Sequence, residues 1–411
     1  MTSQNCNSTL TGKIIDLHDG TVLTGATIVV IENNFTTLSD IEGKYTISNL
    51  CEGQTYSIKI LHPSCDEVIF KWKASRGEIE KDFKLEHHIE ELNEIIVKGN
   101  SYEDASKSVF ESQISKTVLE KYSNASIGDA LKSLSGVSSL NKGNGIVKPI
   151  IQGLHSSRII MINNGVRMQD QEWGKEHAPN IDVNAIGRIT LIKNASALKY
   201  GGDAMAGIII AEGLKVPVKD SLYGKTMLFG SSNGRGGGIT SQLTKSYKNG
   251  LYGTAQGTLK RYGDVEAANY VMSNTGLYEK DMSLRLGLNR FNYGIEGYFS
   301  YFNTEIGILR SSHAHGAADQ IRAIESDVPL TVREFTYDIG YPKQNITHKL
   351  SRIKAFKNLS DYTIELQYDY QLNRRFEYDI RVGNDRDKPA LDLKLDTHTV
   401  LICLLYTSPS P

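Results

Sequence analysis

Residues 127–140, IGDALKSLSGVSSL, open a segment that continues through GNGIVKPIIQGLHSSRIIMINNGVRM (143–168) and DQEWGKEHAPNIDV (170–183) and closes with GRITLIKNASALKYGGDAMAGIIIAE (187–212). Ile127, Leu131 and Leu134 recur at i, i+4 and i+7, the spacing of one apolar helical face. Arg158 to Ile162 and Ile189 to Ile192 are short β-prone runs. Between Ile162 and Val166, Asn163-Asn164-Gly165 suits a tight hairpin whose turn residues need positive φ. The segment therefore reads as a compact α/β unit of a helix and short strands.

Working outward, the 411 residues suffice for two to three domains. Basic and acidic residues are balanced at 46 and 47, for a formal charge of −1, so there is no basic field and no nucleic-acid partner is expected. No apolar run approaches the roughly 18 residues of a membrane-spanning helix, which leaves a membrane barrel open, because barrel strands alternate and keep hydropathy low. The 21 Tyr and 37 Gly against 9 Pro favour β structure. Cys6, Cys51 and Cys65 lie near the N-terminus and Cys403 stands alone; one disulfide among the first three and small buried thiols are both open. MTSQNCNS has neither the basic nor the apolar region of a signal peptide, and with the first strand beginning at Thr9, a presequence lost upstream of Met1 is expected.

From Thr9 to Leu85, short alternating runs (Leu10–Ile15, Ala26–Val30, Lys44–Ile47, Tyr56–Ile60) are separated by Asp/Gly corners, as in a small antiparallel sandwich. His87-His88-Ile89-Glu90 has the His-x-x-Glu spacing of a zinc peptidase, but it sits in a charged linker with no third ligand in a comparable context, so a solvated charge run is the better reading. From Leu222 the period becomes two. Met282, Leu284, Leu286 and Leu288 alternate with Ser283, Arg285, Gly287 and Asn289; Tyr362, Ile364, Leu366, Tyr368 and Tyr370 alternate with Thr363, Glu365, Gln367, Asp369 and Gln371. Up to about seven strands are expected, with tight turns at 248–249, 291–292 and 358–360 opposite longer loops at 262–279 and 304–345, the turn parity of an outer-membrane barrel. Polar residues are expected to line the lumen and the Leu/Tyr face to meet lipid. The ending VLICLLYTSPSP neither alternates nor turns, and 399–411 reads as a foreign or out-of-frame tail. Seven strands are an odd number, too few for a single-chain barrel wide enough to enclose the α/β unit of residues 127–212, so the chain is expected to be truncated within its barrel.

The helix ending in SLSGV, the PIIQGL strand, the NNGV turn and the closing ASALKYGGDAMAGIIIAE resemble, in that order, the plug domain of TonB-dependent outer-membrane receptors. GKIIDLHDGTVLTGATIVV followed by TTLSDIEGKYTISNL resembles the carboxypeptidase regulatory-like domain that often precedes the plug in receptors of the Bacteroidetes type, and which carries no catalysis. The resemblance implies a mainly β chain: a β-sandwich over 9–86, a linker over 87–100, an α/β plug over 101–218, then the first strands of a transmembrane antiparallel barrel over 219–398.

Within the linker, Glu94, Ile95, Ile96 and Val97 resemble the TonB box, an extended segment that would add itself as a strand to the sheet edge of the TonB energy-transducing complex. The implied activity is uptake of a scarce extracellular ligand across the outer membrane, with no enzyme activity and no cofactor. In the family the loop carrying Trp173 and His177 can face the outer cavity, which makes both ligand-contact candidates. His313 and His315, at His-x-His spacing in a long loop, are candidates to share a metal, and the ligand reading leans towards a metal chelate such as a siderophore, haem or cobalamin, or a free metal. Arg158, Arg167, Arg188, Asp170, Glu172 and Asp182 supply charges for pairing with a barrel wall or with each other. The rival readings are a non-transporting surface binding protein built of β modules and, more remotely, a secreted metallopeptidase.

Overall fold

Period-two alternation dictates most of this molecule, and the computed structural model shows it as three successive β-rich regions. The structure describes residues 6–16, 22–62, 65–85, 111–169, 177–312, 316–359, 362–381, 385 and 387–406, apart from 142, 144, 194–196, 198, 199, 218 and 291.

The N-terminal region is a sandwich of two sheets. In one, Ser8–Asp16 pairs antiparallel with Lys44–Leu50 and parallel with Glu78–Glu80 and Phe83–Leu85; in the other the order is Phe35–Leu38, Thr27–Val30, Thr55–His62, Cys65–Lys73. Alternate residues Leu10, Ile14, Ile28, Val30, Ile47, Ile58 and Ile60 are wholly buried between them, as two packed inner faces require. Cys6 is disulfide-bonded to Cys51, while Cys65 is a buried thiol 3.7 Å from Nδ1 of His62. That settles the cysteine alternatives.

The central region is built on a mixed sheet ordered Val166–Arg167, Ile159–Asn163, Gly207–Glu212, Arg188–Ile192, Glu111–Ser115. Ile159–Asn163 and Gly207–Glu212 run parallel; the other pairs are antiparallel. The helix is shorter than the apolar spacing suggests, spanning Ile127–Leu131, and Leu134 is buried just beyond it. A capping box starts it: the Ser126 hydroxyl accepts from the Asp129 amide, and the Asp129 carboxylate accepts from the Ser126 amide. Ile127, Leu131, Met161, Ile189, Leu191 and Ile209 form the core with Tyr298 and Leu350 of the third region, so the two regions share one apolar cluster.

The third region is a single antiparallel meander of eight strands in sequence order: Ser221–Ser231, Gly236–Ser246, Leu251–Tyr262, Leu277–Asn289, Tyr293–Gly307, Lys343–Asn358, Tyr362–Tyr378 and Leu391–Tyr406. Outward Met282, Leu284, Leu286, Ile364 and Leu366 are exposed, and inward Asp281, Gln367, Asp369 and Gln371 are buried against the central region. Connections at 247–250, 290–292 and 359–361 are tight on one side, and the long ones at 263–276, 308–342 and 379–390 lie on the other. Among the described residues no helix is long and apolar enough to cross a membrane.

Two expectations are corrected. The strand count is eight, because Leu391–Tyr406 pairs continuously with Tyr362–Tyr378, from Glu377↔Leu391 to Tyr362↔Tyr406. The stretch from 399 to 406, expected to break the pattern, is therefore strand. Its pairing is made by the main chain and needs no alternation, and Thr399, Val400 and Ile402 suit an extended backbone. The long 308–342 connection also contains a helix, Ala317–Glu325.

The helix start makes a sharp test. A Cβ on Gly128 would lie 2.1 Å from the carbonyl oxygen of Val147. Alanine normally gains ~1 kcal/mol in a helix, yet here overpacking is expected to dominate and Gly128→Ala to destabilise the central region by about 1–3 kcal/mol. Equilibrium unfolding monitored by exchange of the 159–163 amides checks this, and a neutral or stabilising result would refute the close approach.

Candidate functional site

The chemistry concentrates where the central region meets the inner face of the large sheet. At the Asn163-Asn164-Gly165 corner, Asn164 (φ 48°) and Gly165 (φ 81°) adopt the left-handed backbone that a two-residue hairpin demands. This turn drives the corner into the wall. The Arg352 guanidinium donates to the Asn164 carbonyl and to Glu296, and Arg285 donates to the Asn164 side-chain oxygen. That same oxygen accepts the Gly213 amide at 3.0 Å. Gln367 donates to the Gly165 carbonyl at 3.1 Å, and Gln371 to the Arg167 carbonyl at 2.9 Å. Tyr252 holds Glu296 from behind at 2.5 Å. A Cβ at position 165 would stand 2.8 Å from Nη1 of Arg352, so a side chain there would displace the guanidinium, while the positive φ is what calls for glycine.

A second contact centres on Asp182. Its Oδ1 accepts from the main-chain and side-chain nitrogens of Asn184 at 2.9 and 3.0 Å, and its Oδ2 from Gln256 at 2.8 Å and Thr258 at 2.7 Å, both on the wall. Beside it Lys260 pairs with Glu279 at 2.7 Å and reaches the Ala125 carbonyl at 3.3 Å. Lys116 donates to the carbonyls of Asn184 and Ile186 at 2.8 and 3.0 Å. Burial pulls its ammonium below the usual lysine range, against the opposing effect of the Asp182 and Glu120 carboxylates.

The structure distributes the sequence candidates unevenly. His177 is buried at 5% exposure, with Nε2 3.0 Å from the Glu377 carboxylate; Gln344 donates to the same oxygen at 3.3 Å. His177 thus joins the central region to the Tyr362–Tyr378 strand. Trp173, His313 and His315, the Glu94–Val97 segment and the His87/Glu90 pair lie outside the described residues; the flanks of 313–315 are a short 3-10 turn and the Ala317–Glu325 helix rather than strands. Arg167 and Arg188 turn to Asp203 and Glu212, each at 2.7 Å, within the central region, so neither reaches across to the wall in an ion pair. Asp182 does reach the wall, through hydrogen bonds.

The wall partners Arg285, Glu296, Arg352, Gln256 and Thr258 were not singled out from sequence. The available signal was their parity: each falls on the inward phase of its strand, where a charged or amide side chain has to find a partner.

The geometry generates a test. Arg352 and Glu296 are mostly buried, with side chains 8% and 22% exposed. Removing one partner of such a pair costs about 3–5 kcal/mol. Arg352→Met is expected to lower stability by that order and to raise deuterium uptake at amides 163–167; unchanged protection there would refute the grip on the corner.

Comparisons with known proteins follow the same division. The family described as TonB-dependent Receptor Plug Domain matches residues 103–208, and the CarboxypepD_reg-like domain matches 10–97. The chain is 27% identical over 221 residues to the vitamin B12 transporter BtuB of Vibrio vulnificus, covering 51% of this chain and 33% of the relative. It is 29% identical over 118 residues to the BtuB of Photobacterium profundum, covering 28% of this chain and 20% of that protein. Among solved structures, the copper transporter OprC aligns at a TM-score of 0.51 and 14% identity, over 69% of this chain and 40% of that one. The ferric yersiniabactin uptake receptor FyuA of Yersinia pestis aligns at 0.50 and 13%, over 74% and 46%. These two structural likenesses speak for the fold alone. The aligned segments span a third or less of the two curated relatives and under half of the two solved structures.

Proposed function

We propose that this chain, which belongs to the TonB-dependent outer-membrane receptors with an N-terminal carboxypeptidase regulatory-like domain, serves in energised uptake of a scarce small ligand across the outer membrane. The observation that carries this reading is the seating of the plug. Its hairpin corner and Asp182 meet the inner wall through separate hydrogen bonds. Such bonds hold the lumen shut at rest, and each is individually modest, about 0.5–1.5 kcal/mol net or 1.5–3 where a charge takes part. A pull on the chain N-terminal to the plug can break them in succession.

The exposed Leu, Ile and Tyr on the outer face of the large sheet support placement in a bilayer, since alternation of apolar-out and polar-in is what a lipid-facing strand requires. The pull is assigned to Glu94, Ile95, Ile96 and Val97, which would pair as an added strand with TonB; such pairing draws its affinity from the main chain. Trp173, His313 and His315 are the ligand contacts we infer, with His177 anchoring the end of the Trp173 loop through Glu377. The two histidines favour a metal or metal chelate as cargo, and the vitamin B12 transporters among the relatives are consistent with a chelate. Nothing covalent happens to the ligand in this scheme.

Two experiments follow. Deleting Glu94–Val97 at the native locus is expected to abolish uptake while leaving ligand bound at the cell surface; undiminished uptake would favour the non-transporting surface-binding reading instead. His313→Ala combined with His315→Ala is expected to weaken metal-dependent uptake, and unchanged uptake would remove the metal preference.

A further inference from the structure

Three carboxylates from two regions converge where the plug touches the wall. The ligand oxygens of Asp182, Glu279 and Asp281 all lie within 4.8 Å of one another, and all three residues are buried. Their partners are unequal. Asp182 is fixed by donors on both oxygens, from Asn184, Gln256 and Thr258. Glu279 is paired with Lys260. Asp281 is 6% exposed, and neither of its oxygens has a hydrogen-bond partner among the described residues.

The charges do not balance either. Lys260 contributes one ammonium, already committed to Glu279 and the Ala125 carbonyl. The other nearby ammonium, Lys116, is turned to the carbonyls of Asn184 and Ile186. Even with both counted, three carboxylates leave a negative charge uncompensated among the described residues, and Asp281, whose carboxyl meets that of Glu279, is the one that no donor group satisfies. An isolated buried carboxylate is far too costly to persist. It has to acquire a cation or a proton.

We propose that Asp182, Glu279 and Asp281 bind one hard divalent cation of the Ca2+ class, which bolts the plug to the barrel wall. Oxygen-only donors select a hard cation, and two oxygens each about 2.4 Å from one Ca2+ can be no more than ~4.8 Å apart, which this cluster satisfies. The donor set is arranged in advance, because Gln256, Thr258 and Asn184 already orient Asp182. A cavity of about 20 Å³ adjoins Glu279 and Lys260, lined also by Asn180, Thr304 and Gln344. It is large enough to hold a water on the Glu279 side of the cluster. One ligand comes from the plug and two from the Leu277–Asn289 strand, so binding couples the two regions directly. The proposal goes beyond the uptake reading and stands without it: the cation is a resident structural ion, not cargo.

The test uses the whole protein in detergent, stripped with EDTA and then equilibrated with radiolabelled Ca2+. One Ca2+ per chain is expected, with a rise in Tm on adding Ca2+. Asp281→Asn and Glu279→Gln are expected to weaken binding by at least about tenfold and to suppress that rise. In EDTA, Asp281→Asn should be no less stable than the stripped wild type, since it removes the uncompensated charge while keeping the shape. Absence of bound Ca2+ in the wild type would show that a shared proton neutralises the cluster and would overturn the proposal. So would binding that Asp281→Asn leaves unchanged, or an Asp281→Asn protein less stable in EDTA than the stripped wild type. Loss of Ca2+ binding with uptake retained would spare the transport reading, whereas loss of uptake in the Glu94–Val97 deletion has no bearing on the ion.

Discussion

Two arginines on the inner wall of the large sheet share one wall carboxylate and complete their hydrogen bonding on the plug corner, and the rest of the structure follows from that dependence. Arg285 and Arg352 share the single wall carboxylate of Glu296 and point into the space that the plug fills, so one anion serves two guanidinium groups. The Asn164 carbonyl and side-chain oxygen supply the further acceptors. Those oxygens face the wall only because Asn164 and Gly165 take positive φ, and Gly165 leaves the space that a side chain would occupy against Arg352. Neither surface is satisfied alone: the plug corner would present unmade carbonyls, and the wall would present charge. Tyr298 and Leu350 join the plug core by the same logic in apolar form.

This mutual satisfaction explains how a plug can be both firm and releasable. An apolar core such as the one around Leu131, Ile189 and Ile209 answers loss of fit with a cost that grows with the cavity left behind, about 2–5 kcal/mol for one large side chain. The contacts to the wall at Gly165, Arg167 and Asp182 are separate hydrogen bonds on successive segments, and they can be exchanged for water one at a time. The plug's internal sheet is held by the first kind of interaction. Its attachment to the wall combines the second with the apolar contacts of Tyr298 and Leu350.

Much of this was legible in the sequence, for local reasons. The Asn-Asn-Gly corner, the inward phase of Arg285, Gln367, Asp369 and Gln371, and the alternating sandwich strands all rest on spacings of two to four residues, which the chain displays directly. What was missed depends on long separations or on main-chain pairing. Arg352 and Asn164 lie 188 residues apart, and nothing near either one names the other. Arg167 and Arg188 looked equally able to face a wall, but Asp203 and Glu212 are closer within their own region. The strand through Val400 and Ile402 was hidden because it lacks alternation, which a backbone ladder does not need. The Asp182, Glu279 and Asp281 cluster joins a loop to a strand and has no sequence signature at all.

The proposed uptake requires the plug to move against the wall for ligand to pass. Its most direct test fixes the two together away from the lumen contacts. Glu120 of the plug region and Lys225 of the first barrel strand form a partly exposed pair at 2.7 Å. With both replaced by cysteine at the native locus, and the two thiols joined by a short reducible cross-linker, ligand uptake should stop, and reduction should restore it in the same cells. Uptake that continues at full rate while the cross-link is intact would contradict the account.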